Sequence, residues 1–202
     1  MKKLYLFLSF IILLTGCASY DLQEAMRPNN REFYPKLPNM ESLFETGKSV
    51  NIYTSASNIN TTSIQLNNEF ATLFRREVEK NLIDMNGSIK GKLVLDPVYF
   101  ENEPNNAWLF TLYPLLFIPP ALGVPLNSYT AKWELELNVL DKNGKRIARY
   151  SGEAEDTEYL AAYWGWEDPY TVAAFESYKQ ALNKIIIQLK NDIPTLSAKL
   201  KQ

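Results

Sequence analysis

The residue types that most enzymes use for catalysis are scarce in this chain of 202 residues. The chain has no histidine, and Cys17 is its only cysteine. The lack of histidine removes the imidazole base of Ser-His-Asp and Cys-His schemes and the commonest metal ligand. The sequence also has no Gly-rich phosphate loop and no calcium-loop spacing. We therefore predict no catalytic residue, no metal site and no cofactor.

Glu134 and Glu136 form a pair of carboxylates whose spacing suits acid–base chemistry. Two residues apart on a strand, they share a face and lie roughly 6–7 Å from each other, a separation that glycoside hydrolysis also uses. However, they alternate with Trp133, Leu135 and Leu137, as the solvated face of any half-buried strand does. We interpret both glutamates as exposed surface residues and predict that the protein is not an enzyme.

Cys17 ends the most specific segment of the chain. Met1-Lys2-Lys3 is followed by an uncharged run from Leu4 to Thr15, and the run closes with Leu14-Thr15-Gly16-Cys17. A charged start followed by about a dozen apolar residues is typical of a secretory signal. The run is shorter than the roughly 20 apolar residues of a membrane-spanning helix. Its last four residues resemble the lipobox of bacterial lipoproteins.

That resemblance implies that residues 1–16 are a signal peptide and that the chain is cut before Cys17. The cysteine sulfur would carry a diacylglycerol, and its amine would be acylated, commonly with palmitate. In enteric-type lipoproteins, Ala18 and Ser19 after the cysteine imply export to the outer membrane, where the protein would face the periplasm. The alternative is an ordinary signal peptide with an incidental cysteine.

The composition fits one folded domain and argues against a nucleic-acid partner. Removal of Lys2 and Lys3 from the 21 basic residues leaves 19, against 23 acidic residues. A nucleic-acid-binding domain needs a basic surface, so we predict no such partner. Residues 17–202 are long enough to bury a substantial core. A lipidated Cys17 would leave no cysteine for a disulfide, so the core must stabilise the fold.

The stretch 17–48 is predicted to be a tether that carries the lipidated cysteine. Pro28, Pro35 and Pro38 interrupt it, and no apolar period is sustained between them. The alternative is that part of this stretch packs on the domain through its aromatic residues. Residues 49–202 are predicted to form a single domain.

Alternating apolar and polar residues predict the strands of that domain. The predicted strands are Ser49–Thr54, Gly91–Glu103, Ala131–Leu140 and Arg146–Glu155. Pro97 lacks an amide donor, so the second strand is expected to bend or to lie at an edge there. The run from Asp141 to Gly144 contains Asn-Gly and predicts a hairpin turn.

Two amphipathic helices complete the predicted domain. The first begins near Thr62 and stops at Asn86-Gly87, and the second begins at Asp168-Pro169 and ends or breaks at Pro194. Both carry apolar residues at three- and four-residue intervals: Leu66, Phe70, Leu73, Phe74, Val78 and Leu82 in the first, and Val172, Phe175, Leu182, Ile185, Ile186 and Leu189 in the second. We predict an α+β fold, in which two helices cover one face of a mostly antiparallel sheet in the order strand, helix, strand, insert, strand, strand, helix.

The segment 104–131 is an apolar insert without a charged residue. It is long enough to span a bilayer as a helix, but its prolines remove backbone donors, and unpaired backbone groups are costly in hydrocarbon. Three roles stay open: it folds over its own sheet, it enters the membrane interface beside the anchor, or it docks an envelope partner. Its candidate contact residues are Trp108, Leu112, Leu115, Leu116 and Phe117.

A second unusual segment, Glu153–Tyr170, combines carboxylates with aromatic residues. We predict that Tyr163, Trp164 and Trp166 cover the apolar insert, or else contribute to the same membrane or partner contact. Tyrosine and tryptophan suit an interface because one end of each ring system is apolar and the other polar. A glycan-binding module is the alternative for this segment.

The element order and the anchor resemble the small α+β lipoproteins of the Gram-negative periplasm, families that act in envelope assembly. The resemblance implies a non-enzymatic accessory or assembly factor that binds another component of the cell envelope, with a protein partner expected. A structural protein that contacts lipid through the insert is the first alternative. The glycan-binding module is the second.

Overall fold

The computed structural model describes residues 22–28, 34–45, 59–105, 125, 127–161 and 169–201. Its helices are α1 (Leu22–Ala25), α2 (Ile59–Glu77) and α3 (Pro169–Leu200). A π-helical stretch, Val78–Leu82, continues α2. The strands are β1 (Glu41–Phe44), β2 (Gly91–Asn105), β3 (Asn127–Asp141) and β4 (Arg146–Leu160).

The described strands form one mixed sheet in the order β1-β2-β3-β4. β1 runs parallel to β2, whereas β2, β3 and β4 pair antiparallel. In the turn between β3 and β4, the amides of Asn143 and Lys145 donate to Asp141 Oδ1 at 2.8 and 2.9 Å. Gly144 has a φ of +79°, which glycine adopts without a steric penalty. The predicted α+β class and the predicted hairpin turn are therefore confirmed.

Helices α2 and α3 pack on the same face of the sheet, as predicted. The Trp133 ring lies 4.9 Å from the ring of Phe70 in α2, and its Nε1 donates to Ala174 O in α3 at 2.9 Å. Each large apolar side chain buried here contributes about 1.5–3 kcal/mol. The buried residues include Phe70, Leu73, Phe74, Val78 and Leu82 of the first stripe, Ala131, Trp133, Leu135, Leu137 and Val139 of β3, and Val172, Phe175, Leu182, Ile185, Ile186 and Leu189 of α3.

Pro97 disturbs β2 where the sequence predicts it. The pairing register between β2 and β3 shifts between Pro97 and Tyr99. β1 pairs with β2 only as far as Leu95, so Pro97 stands where β2 is an edge among the described strands. An edge position does not need the amide donor that proline lacks.

The first described strand of the sheet, β1, is not among the predicted strands. Ser49–Thr54 lies outside the described residues, whereas β1 is Glu41–Phe44. Before β1, Leu37 forms a parallel bridge with Ile83 and is fully buried. This part of the stretch 17–48 therefore belongs to the domain and not to a tether, which is the alternative given above. Four strand residues are too few to show an alternating pattern in the sequence.

Helix α3 runs through Pro194 to Leu200, so the prediction that it ends or breaks at Pro194 is wrong. A proline inside a helix costs about 3 kcal/mol because it removes a hydrogen bond and crowds the preceding turn. Ile193, Leu196 and Leu200 are buried on either side of it. Their burial continues the apolar stripe past the proline and offsets that cost. The helix begins at Pro169, as predicted, while Asp168 lies outside the described residues.

The described part of the domain has two ends, named by the segments they carry. At the insert end, Asn105 pairs with Ser128, and Asn127 pairs with Leu160. At the turn end, Gly91 pairs with Asp141, and the last turn of α3 packs against Gly91. The 32 residues of α3 span about 48 Å, so the two ends lie tens of ångströms apart.

Candidate functional site

All of the predicted site residues lie outside the part of the chain that the structure describes. They are Cys17, Trp108, Leu112, Leu115, Leu116, Phe117, Tyr163, Trp164 and Trp166. Their roles stay predictions. The described residues on either side of them fix where these segments join the domain.

Both unusual segments join the domain at the insert end. The apolar insert leaves β2 at Asn105 and re-enters the sheet in β3, while the aromatic segment connects β4 to α3. Asn102 Nδ2 in β2 donates to Tyr170 O in the first turn of α3 at 3.0 Å. The rings of Tyr129 and Tyr170 meet edge to face, with centroids 6.3 Å apart. These contacts bring together the points at which the two segments join the domain. Such closeness is required if the aromatic segment covers the apolar insert, as predicted.

An aromatic cluster supports the insert end from within the core. The Trp133 ring lies 4.2 Å from the ring of Phe100 and 5.5 Å from the ring of Tyr178, measured between centroids. Tyr178 in α3 also reaches across to α2, where its hydroxyl donates to Phe70 O at 3.3 Å. Edge-to-face and tilted aromatic pairs contribute about 0.5–1.5 kcal/mol each beyond their burial. The sheet and both helices are thus fixed to one another beneath this end.

The described carboxylates of the acidic-aromatic segment contact neighbouring elements of the domain. Glu153 pairs with Lys132 at 2.6 Å, and the hydrogen bond and charge of that lysine lower the pKa of Glu153. Asp156 accepts from Gln180 Nε2 at 2.9 Å. Burial raises the pKa of Asp156, although the Gln180 hydrogen bond opposes the rise. Among the described aromatic residues of this segment, Tyr159 is the most exposed, with 44% of its surface accessible to solvent. Glu153 and Asp156 are therefore engaged by β3 and α3.

The prediction that Glu136 is exposed is wrong, because only 8% of its surface reaches solvent. Arg149 of β4 forms an ion pair with Glu136 Oε2, and Asn138 Nδ2 donates to Glu136 Oε1 at 2.9 Å. Both carboxylate oxygens are thus engaged, and the two neighbouring side chains cover the group. Glu134 is only partly exposed. The alternation in β3 predicts correctly that both glutamates lie on the face opposite to the buried core residues. It does not indicate that neighbouring side chains on that face bury Glu136.

Helix α1 brings the domain close to Cys17. Leu22, its first residue, follows Cys17 by five positions, a length of chain that spans at most roughly 17 Å. The helix packs on α3, and Ala25 is buried in the common core. Any anchor at Cys17 would therefore hold the domain near the membrane surface.

The turn end carries a charged depression that sequence analysis missed. Its volume is about 550 Å³, and its charged lining residues are Lys90, Asp141, Lys142, Lys145, Arg146 and Lys199. These residues come from three distant parts of the chain. No run of basic residues marks them in the sequence, apart from the lysines and arginine that flank the hairpin turn.

None of the described helices is both long enough and apolar enough to cross a membrane. Within the described ranges, no group of three or more carboxylate or thiol side chains lies close enough together to hold a metal ion.

Comparison with known proteins gives only distant similarities. No protein-family profile and no curated protein matches the sequence. Among solved structures, a protein of the DUF330 family from Xanthomonas campestris is similar over 87% of this chain and 94% of its own, at 14% identity and a TM-score of 0.37. A proposed lipoprotein from Caulobacter crescentus CB15 is similar over 79% of this chain and 90% of its own, at 14% identity and a TM-score of 0.33. Such low scores carry no argument about function.

Proposed function

We propose that this chain is a lipoprotein, anchored through Cys17 in the outer membrane of a Gram-negative cell and facing the periplasm. It acts as a non-enzymatic accessory or assembly factor that binds another component of the cell envelope. The observation that carries the proposal is the run Leu14-Thr15-Gly16-Cys17 at the end of an uncharged, signal-like segment. Two or more acyl chains make such an anchor stable, because each buried CH₂ contributes about 0.8 kcal/mol.

The short distance from Cys17 to α1 supports a role at the membrane surface. Five positions separate Cys17 from Leu22, so the anchor and the folded domain are connected by at most roughly 17 Å of chain. A domain held so closely stays beside the bilayer, and its longest helix, about 48 Å in length, limits how far from the membrane surface it reaches. We therefore expect its partner to be an envelope protein that is itself embedded in or attached to the membrane.

The non-enzymatic part of the proposal is supported by the state of the carboxylate pair. An acid–base residue needs a carboxyl group that is free to exchange a proton with substrate. Both oxygens of Glu136 are instead held, one by Arg149 and one by Asn138. The pair is better suited to linking β3 to β4 than to chemistry.

We place the partner contact at the insert end. The uncharged segment 104–131 leaves and re-enters the sheet there, and the contact of Asn102 with Tyr170 fixes its base. An apolar segment of this length needs a cover, because a large apolar surface left exposed is an aggregation hazard, and large exposed apolar patches mark binding sites. The insert therefore supplies the apolar centre of the proposed interface, with the aromatic segment beside it.

Photo-crosslinking in intact envelopes, followed by capture of the protein, tests this proposal. The test variant replaces Leu115, Leu116 and Phe117 with serine. The matched control replaces three exposed apolar residues elsewhere with serine: Val98, Tyr99 and Ile187, which are 49%, 41% and 48% exposed. We expect a specific envelope protein to be captured by wild type and by the control but not by the insert variant.

The same cells test the anchor and the location. Wild type should fractionate with the outer membrane, and Cys17→Ala should not. If the insert variant captures the same partner as wild type, the placement of the interface is wrong. If the insert variant instead melts at a lower temperature and the control does not, the insert is part of the core and the docking role fails.

A further inference from the structure

The turn end concentrates positive charge in a protein that is acidic elsewhere. Its depression has five basic lining residues and a single acidic one, Asp141. Setting these aside from the 21 basic and 23 acidic residues of the whole chain leaves 16 basic against 22 acidic. The depression is thus strongly basic while the rest of the chain is acidic, and a positive field attracts a negatively charged partner.

None of the cations of this depression forms an ion pair with another described residue. In the part of the chain that the structure describes, Lys90, Lys142, Lys145 and Lys199 form no ion pair. Arg146 contacts an uncharged group, since its guanidinium lies 3.4 Å from Asn138 Oδ1.

The one carboxylate among the cations serves the hairpin turn. Asp141 Oδ1 accepts the amide hydrogens of Asn143 and Lys145, and its backbone amide donates to Lys145 O at 2.9 Å. The turn that carries Lys142 and Lys145 is therefore ordered, so the cations are presented without a large ordering cost.

Two exposed apolar side chains lie in the loop that leads into this depression. Met85 and Ile89 are 57% and 60% exposed, in the loop between the π-helical stretch and β2. Asn39 holds this loop, because its Nδ2 donates to Met85 O at 3.3 Å and to Gly87 O at 2.9 Å. The Lys90 amide in turn donates to Asn39 O at 2.8 Å. The loop thus presents apolar side chains next to a lysine of the depression.

We propose that the turn end lies against anionic phospholipid headgroups, with Met85 and Ile89 entering the interfacial region. Lysine and arginine side chains near an anionic lipid surface gain about 1 kcal/mol each. Apolar side chains beside a basic surface are typical of interfacial binding, because burial in the headgroup region adds to the electrostatic attraction. A site for a small free anion would not require the exposed apolar side chains of Met85 and Ile89. The inference rests on the proposed function, since the anchor at Cys17 brings the domain to the membrane.

A lysine footprint of the mature lipoprotein tests this orientation. The protein is inserted into vesicles of phosphatidylcholine alone, or of phosphatidylcholine with an equal amount of phosphatidylglycerol. Mass spectrometry then measures how fast each lysine is acetylated. We expect Lys90, Lys142, Lys145 and Lys199 to react roughly fivefold more slowly on the anionic vesicles, the factor that corresponds to about 1 kcal/mol. Lys132 and Lys184, on the body of the domain, should react equally on both.

Two variants sharpen the test. Met85→Ser combined with Ile89→Ser should reduce the protection of the turn-end lysines. Arg75→Gln combined with Arg76→Gln, which removes two exposed cations of α2, should leave that protection unchanged. Equal rates on the two kinds of vesicle would overturn the inference. Equal protection by inorganic phosphate in solution would also overturn it, by showing a small-anion site.

Flotation of the vesicles separates this inference from the proposed function. Protein that floats with both vesicles but shows no protected lysines keeps its anchor and refutes only the orientation. Protein that floats with neither refutes the anchor itself.

Discussion

The contact between β4 and α3 at Gly152 allows a quantitative prediction. Gly152 faces the helix, and a Cβ added there would lie 2.2 Å from Ala181 O and 3.0 Å from Ile185 Cγ1. Ala181 O belongs to the helix backbone and cannot rotate away as the end of a side chain does. Gly152→Ala should therefore force α3 away from the sheet along a contact that also buries Ile185.

The size of the loss follows from two opposing effects. Overpacking a closely packed interior costs about 1–3 kcal/mol, and a rigid backbone contact places this case in the upper part of the range. Replacing glycine by alanine within a strand returns about 0.5–1 kcal/mol of backbone entropy. We expect the free energy of unfolding to fall by about 1–2 kcal/mol, as measured by urea unfolding followed by far-ultraviolet circular dichroism. Ser151→Ala, on the exposed side of the same strand, should change the midpoint little. An unchanged midpoint for Gly152→Ala would refute the close packing of β4 on α3.

Three further predictions concern stability. Leu135→Ala should cost about 2–5 kcal/mol, because it empties part of the core, whereas Glu134→Gln should cost no more than about 0.5 kcal/mol; a large loss of stability from Glu134→Gln would contradict its place on the solvated face of β3. Pro194→Ala should stabilise the protein by up to about 3 kcal/mol in chemical denaturation, because Pro194 is exposed and lies inside α3. Burial raises the pKa of Asp156 above its ordinary value of 3.8, so the folded chain holds this proton more tightly and the ionised carboxylate disfavours folding. Asp156→Asn should therefore be more stable than wild type at pH 7, with the difference in melting temperature vanishing as the pH falls below about 3.8; a difference that persists in acid would contradict this cause.

The long elements were predictable because their apolar periods are sustained. Trp133, Leu135 and Leu137 alternate with polar residues in β3, and the stripes that contain Phe70 in α2 and Phe175 in α3 each repeat over several helical turns. Apolar periods of that length predict which face of a helix or strand is buried, whatever its neighbours are.

The parts that sequence analysis missed depend on contacts between distant residues. β1 is too short to show a period, and its place is set by pairing with β2. Helix α3 continues past Pro194 because Leu196 and Leu200 find buried positions. Glu136 is buried by Arg149, which is 13 residues away in the sequence.

The proposed functional surfaces also divide into those that can be identified from the sequence and those that require the structure. The lipobox resemblance and the apolar insert are local properties of the sequence and can be identified from it. The basic turn end combines Lys90, the hairpin turn and Lys199, which only the antiparallel pairing of the strands and the length of α3 bring together. The charged residues in the sequence are almost evenly divided between positive and negative, so the sequence alone does not indicate this basic surface.

Incorporation of labelled palmitate tests the central claim, that Cys17 anchors this protein in a membrane. Cells that express wild type or Cys17→Ala would be grown with the label, and the protein would be captured and separated by size. We expect label in a processed wild-type band, and an unlabelled, unprocessed precursor for Cys17→Ala. Equal labelling of the two proteins, or no label in either, would contradict the lipoprotein assignment and the membrane location that follows from it.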